Sequence, residues 1–104
     1  MVDHELNELK REFLDEAREK VAEMQSALDR VAEPDAQDRL AYLAHQLKGS
    51  GGSYGYQRIS TDAAELEKVV ESVAAGAAPP EQKLQQYVLN LRTEIDRASQ
   101  ELVT

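Results

Sequence analysis

Apolar residues recur every three or four positions along most of the chain, which is the spacing of one face of an α-helix. The first such stripe predicts a helix from about Asp3 to Ala32, with Asp3 as its N-cap. Pro34 is expected to end this segment. A bend near Lys10 to Glu12 would set a short first helix apart, and the pattern leaves both alternatives open. The stripe consists of Leu6, Leu9, Phe13, Ala17, Val21, Met24, Leu28 and Val31.

Three further segments have one apolar face each. The second starts near Asp35, a good capping residue, and ends at Gly55. The third runs from about Tyr56 to Ala75, and Gly76 ends it. The fourth follows a proline-containing linker, with Pro80 predicted as its first helical residue. Their apolar faces are Leu40, Leu43, Ala44, Leu47 and Tyr54; Ile59, Ala63, Leu66, Val70 and Val73; and Leu84, Val88, Leu91, Ile95, Ala98 and Leu102.

These patterns predict the fold class. No stretch alternates apolar and polar residues for long enough to indicate a strand. Long helices joined by short turns pack antiparallel, so the chain is predicted to be all-α, an antiparallel up-down-up-down four-helix bundle. A bent first segment would add a short extra N-terminal helix. A length of 104 residues suits one domain, which we expect to span residues 1–104.

Composition narrows the classes of function. The net charge is −8, from 20 acidic against 12 basic residues, so a nucleic-acid partner is not expected. The chain has no apolar run of about 20 residues and no secretory pattern at its start, which predicts a soluble cytoplasmic protein without a membrane partner. With two histidines far apart and no cysteine, no metal site is expected. We expect a monomer.

The second segment contains three glycines, although each glycine inside a helix costs roughly 0.5–1 kcal/mol relative to alanine. At about 100° per residue, His45 points roughly 150° away from the apolar face and therefore into solvent. Gly49 and Gly52 lie beside His45 along the same stripe, whereas Gly51 falls on the core side. Two glycines thus clear the surface around an exposed imidazole, which is typical of a landing site for another protein.

The residues near His45 suit phosphoryl chemistry. Neutral imidazole is a competent nucleophile near neutral pH. Lys48 is adjacent on the helix and can pair with phosphate oxygens, while Gln46 and Ser50 could hydrogen-bond to a partner or help to orient the ring. No base, metal cluster or nucleotide-binding loop accompanies His45, so the partner must supply the rest. His4 is assigned no role, and the carboxylates Glu65 and Glu67 are interpreted as solvated helix surface.

The run from His45 to Gly55 resembles the His-x-x-Lys-Gly signature of histidine-phosphotransfer domains. The runs 13–17 and 63–67 also fall where such domains have similar helices, so the resemblance covers nearly the whole chain. It implies a relay intermediate of two-component signalling. His45 would accept a phosphoryl group from an aspartyl-phosphate on a response-regulator receiver domain and pass it to another receiver, or back.

The resemblance also implies roles for single residues and partners. The phosphoryl group would be bound to Nε2 of His45, Lys48 would pair with it, and Gly49 and Gly52 would let the receiver dock. The expected partners are receiver domains, hybrid histidine kinases, or both. The domain would be a phosphocarrier without enzymatic turnover and without a cofactor, because magnesium belongs to the receiver in this family.

Two other functions remain open at this stage. The chain could be a non-catalytic helical adaptor or signalling inhibitor that binds with His45 unmodified. It could also be the phosphoacceptor domain of a larger histidine kinase. A start at Met1 favours a free-standing protein, although the boundary of an excised domain would look the same.

Overall fold

The computed structural model describes residues 4–103, which form four α-helices and no strand. They are α1 (His4–Leu28), α2 (Pro34–Ser53), α3 (Gln57–Ala74) and α4 (Glu81–Val103). Each helix packs against the next one along the chain, and α4 packs against α1. Contacts of Phe13 with Tyr54 and of Glu23 with Arg39 are those of an antiparallel α1–α2 pair. The predicted all-α four-helix bundle is confirmed.

The core is apolar and is supplied by all four predicted stripes. Within the described residues no polar or charged side chain is buried. Leu6 and Leu9 are exceptions to the first stripe, because they are 40% and 48% exposed. They precede Phe13, the first buried residue of α1, which stacks against Tyr54 and Tyr56 at the α2–α3 turn. The largest fully buried side chains are Leu14, Met24, Leu40, Leu43, Leu47, Ile59, Leu66, Leu84, Leu91 and Ile95.

The first helix differs from its predicted form at both ends. It is one continuous helix from His4, so of the two alternatives left open the single helix is the one observed, and α1 is not divided into a short first helix and a second one. The proposed N-cap Asp3 lies outside the described residues. At the other end α1 stops at Leu28, before the predicted Ala32, and residues 29–32 form turns. The side chain of Val31 is nevertheless buried, which explains why the apolar stripe continued past the end of the helix.

Pro34 begins α2 instead of ending α1. Proline suits a first helical position, because the N–H that it lacks would have no partner inside the helix. Glu33 is the N-cap, and Asp35, the predicted capping residue, lies in the first turn. At the start of α4 the prediction was one residue early. The carbonyl of Pro80 accepts the N–H of Leu84 at 2.9 Å, so Pro80 flanks a helix that begins at Glu81.

Gly55 and Gly76 end α2 and α3 as predicted. Their φ angles are 85° and 111°, a region that glycine enters without steric cost. At the end of α2, the N–H of Tyr56 donates to the carbonyl of Gly51 at 2.8 Å, and that of Gly55 to Gly52 at 3.1 Å. This pair of bonds is a Schellman motif, and it fixes the turn directly after the glycine-rich part of α2.

None of the described helices is long and apolar enough to cross a membrane.

Candidate functional site

His45 lies on the outer face of α2. Its side chain is 67% exposed, whereas Leu43, Ala44 and Leu47 beside it in sequence are buried. The helix therefore presents the imidazole to solvent, in the orientation that the spacing of the apolar residues predicted. An exposed imidazole can attack an electrophile that another molecule carries.

A carboxylate from α3 contacts the His45 ring. Oε2 of Glu67 lies 2.9 Å from Nδ1 of His45, and its other oxygen, Oε1, lies 2.8 Å from Nζ of Lys48. The Glu67 side chain is only 14% exposed. The interpretation of Glu67 as solvated surface was therefore wrong: one half-buried carboxylate joins the imidazole to the neighbouring amine.

Glu67 determines which ring nitrogen is free. The hydrogen bond from Lys48 lowers the pKa of Glu67 below its ordinary value; burial opposes this, and the hydrogen bond with His45 lowers the pKa further. An ionised carboxylate can only accept hydrogen bonds, so Nδ1 of His45 carries the proton in this contact. In a neutral ring with this proton on Nδ1, the lone pair is on Nε2, which is then the nitrogen able to act as a nucleophile.

The glycines of α2 fall into two groups. A Cβ at Gly49 would meet nothing within 4 Å, and one at Gly52 would make an ordinary contact, 3.6 Å from Oγ of Ser60. Gly51 is different, because its Cβ would lie 3.2 Å from the backbone nitrogen of Ser60 and from Cγ2 of Ile59. Close packing against α3 therefore favours a glycine at 51, whereas internal packing gives no reason for glycine at 49 or 52.

Gln46 and Ser50 do not orient the ring. Nε2 of Gln46 donates to the hydroxyl of Tyr42 at 2.7 Å, and Ser50 is exposed further along the helix. In the part of the chain that the structure describes, Glu67 is the side chain that hydrogen-bonds to the imidazole of His45. The orienting role considered for Gln46 and Ser50 thus belongs to Glu67.

Tyr42 is a neighbour that the sequence interpretation missed. It lies one turn before His45, is 51% exposed, and has the guanidinium carbon of Arg39 5.3 Å from its ring centroid. Arg39 in turn forms an ion pair with Glu23 of α1. The signal was available, because a residue three positions before His45 must share its exposed face.

No group of three or more His, Cys, Asp or Glu side chains between residues 4 and 103 could hold a metal ion.

Comparisons with known proteins agree with the four-helix fold. The family model described as the Hpt domain matches residues 8–101. No curated protein and no solved structure matches the chain at a significant level.

Proposed function

The chain belongs to the histidine-phosphotransfer (Hpt) domain family, whose members are phosphocarrier modules of two-component signalling, and on that premise we propose that His45 is the phosphoacceptor. The donor is the aspartyl-phosphate of a response-regulator receiver domain, and a second receiver, or the first one again, takes the group onward. The hydrogen bond between Glu67 and Nδ1 of an exposed His45 is the observation that carries this proposal.

The transfer step needs no proton to move. The lone pair of Nε2 of His45 attacks phosphorus in line, the P–N bond forms, and the P–O bond to the receiver's aspartate breaks. The aspartate leaves as a carboxylate with the electron pair of that bond. The ring, which keeps its proton on Nδ1, becomes positively charged as the bond forms.

Glu67 favours the step in both directions. Its negative charge, 2.9 Å from Nδ1, stabilises the positive charge that develops on the ring. In the reverse direction the protonated Nδ1 lets the ring depart as neutral imidazole, a far better leaving group than imidazolate. A carrier that must both accept and release a phosphoryl group gains from such a contact.

Lys48 supplies the positive charge for the phosphoryl oxygens. In the unphosphorylated protein its amine is held by Glu67 at 2.8 Å, one helical turn from His45. A lysine amine has three donors on a flexible stem, so Lys48 can keep Glu67 and also contact a phosphoryl oxygen. Gly49 and Gly52 leave the stripe next to His45 free for the approaching receiver.

The proposal extends to the setting of the reaction. The domain carries the phosphoryl group without turnover of its own, magnesium is bound by the receiver, and the exchange takes place in the cytoplasm. The receiver can be a separate response regulator or part of a hybrid histidine kinase. An adaptor that leaves His45 unmodified would have no use for a carboxylate that holds Nδ1, which is why the carrier function is preferred.

A phosphotransfer assay tests the proposal. A panel of radiolabelled phospho-receivers with magnesium is mixed with the wild-type protein and with His45→Gln. We expect label on the wild type alone, stable in base and labile in acid, as a phosphorus–nitrogen bond is. Equal labelling of His45→Gln would remove His45 from the mechanism. A folded wild type that no receiver labels, its natural partner included, would favour the adaptor.

A further inference from the structure

Tyr42 is an exposed aromatic residue next to the reactive histidine. About half of its surface is open to solvent, and on the helix it lies about 60° around the axis from His45, on the side away from Lys48. The side chain is not part of the buried core. An aromatic ring in such a position can bury a large area in a partner.

Contacts on both sides hold the Tyr42 ring. Gln46, one turn later, donates to its hydroxyl at 2.7 Å, and Arg39, one turn earlier, places its guanidinium carbon 5.3 Å from the ring centroid. The ion pair with Glu23 ties Arg39 to α1. The rotamer of Tyr42 is thereby restricted before any partner arrives, which reduces the entropy lost on binding.

We propose that Tyr42 is the aromatic anchor on which the receiver domain docks, and that it fills an apolar depression beside the receiver's phosphorylated aspartate. The inference rests on the proposed function, since it assumes that a receiver approaches His45. Tyr42 continues the exposed stripe of His45, Gly49 and Gly52 in the other direction along α2, so a protein that docks along this stripe also meets the tyrosine.

The anchor gives the docking surface an asymmetry. On the side of α3 the ring of His45 is bordered by the charged pair Lys48–Glu67, which the phosphoryl group needs. On the side of α1 it is bordered by Tyr42, whose hydroxyl accepts a hydrogen bond from Gln46 and which, among the described residues, forms no hydrogen bond with the His45 ring. A few residues contribute most of the binding free energy of a protein interface, and tyrosine is among the types enriched there. The affinity for one receiver over another is therefore set on the side of Tyr42.

Replacement of Tyr42 tests this assignment against a receiver that labels the wild type. Tyr42→Ala is expected to lower the second-order rate constant for receiver transfer roughly 10- to 30-fold. Labelling of His45 by phosphoramidate, a small donor that requires no docking, is expected to change less than about twofold. Tyr42→Phe keeps the ring and should stay within about threefold of the wild type.

Leu89→Ala is the matched control. Leu89 is 50% exposed, almost the same as Tyr42, but it lines a cleft between α1 and α4. Its replacement should leave receiver transfer unchanged. Equal rates for Tyr42→Ala and the wild type would overturn the anchor while leaving the carrier function intact. Loss of the phosphoramidate reaction in folded Tyr42→Ala would also overturn it, because the tyrosine would then act on the imidazole.

Discussion

The two sides of His45 are built differently. The α3 flank, Lys48 and Glu67, reaches the imidazole directly, through a contact of 2.9 Å with Nδ1. The α1 flank is a chain of contacts from α1 to α2 that, among the described residues, includes no hydrogen bond to the His45 ring. It consists of Glu23, Arg39, Tyr42 and Gln46. Each flank has one residue of α2 next to His45, because Lys48 and Tyr42 lie about 60° to either side of it around the helix axis.

In the proposed mechanism, this difference separates reactivity from recognition. The α3 flank places a proton and two charges around the ring, and these act on any phosphoryl donor. The α1 flank presents an aromatic surface, which acts only on a donor that is a protein. A variant of the α3 flank should therefore slow receivers and phosphoramidate alike, whereas a variant of the docking surface should slow receivers only.

The largest effect is expected from a variant that blocks the docking surface, the exposed stripe of His45, Gly49 and Gly52. Gly52→Gln should lower receiver transfer about 100-fold, because a long side chain would stand on the stripe beside His45, where the receiver must approach within bonding distance. The fold should survive, since a Cβ at this position makes only an ordinary contact with Ser60. Helical content by circular dichroism and the phosphoramidate rate serve as controls. Unimpaired receiver transfer in folded Gly52→Gln would contradict the docking surface.

Glu67→Gln tests whether the α3 flank acts on the His45 ring. The variant keeps the shape of the side chain and removes its charge, so the ring loses the fixed proton on Nδ1 and the stabilised positive charge. We expect a loss of about 10- to 100-fold, equivalent to about 1.5–3 kcal/mol for a hydrogen bond to a charged group. Single-turnover rates with a receiver and with phosphoramidate should fall together. A lower rate with the receiver alone would mean that Glu67 acts in receiver docking and not on the His45 ring.

Lys48→Ala should have a smaller effect. The nucleophile remains, and Glu67 still holds Nδ1, but the phosphoryl oxygens lose a cation. We expect transfer about 10-fold slower from either donor, the loss of one charge-assisted contact. Lys68→Ala, which removes a largely exposed lysine of α3, is the matched control for the change in net charge. Wild-type rates in Lys48→Ala would remove this lysine from the mechanism.

The smallest effect is on stability and depends on pH. The pKa of Glu67 is lowered in the folded protein, chiefly by Lys48, from an ordinary value of 4.5. The ionised carboxylate therefore stabilises the fold above pH 4.5, and this contribution is lost as pH falls through the lowered pKa. Urea unfolding should show the wild type more stable than Glu67→Gln by about 0.5–1 kcal/mol at pH 7 and by less at pH 3. A difference that is independent of pH would contradict the ion pair.

Much of the site follows from helical geometry within one segment. The apolar face of α2 fixed the outward direction of His45, and the same rotation separated Gly49 and Gly52 from Gly51. Both results depend only on about 100° per residue. Tyr42 could have been recognised in the same way, as a residue that shares the exposed face.

Glu67 could not be found in this way. It lies on another helix, 22 residues after His45, and nothing in its local sequence distinguishes it from Glu65. Its contact depends on the register between α2 and α3, which pack closely where Gly51 meets Ile59 and Ser60. The predicted end of the first helix was also wrong. Val31 lies in a turn but is buried, so the apolar pattern of a helix continues past Leu28.

The most direct test of the central claim is a two-bond ¹H–¹⁵N spectrum of the histidine-labelled protein after phosphorylation by a receiver, read together with its ³¹P couplings. His45→Gln assigns the signals, since His4 is the other histidine of the chain. We expect phosphorus on Nε2 of His45 and a proton on Nδ1, with the Nδ1 signal shifted in Glu67→Gln. Phosphorus on Nδ1, or an unmodified His45 in a protein that a receiver has labelled, would contradict it.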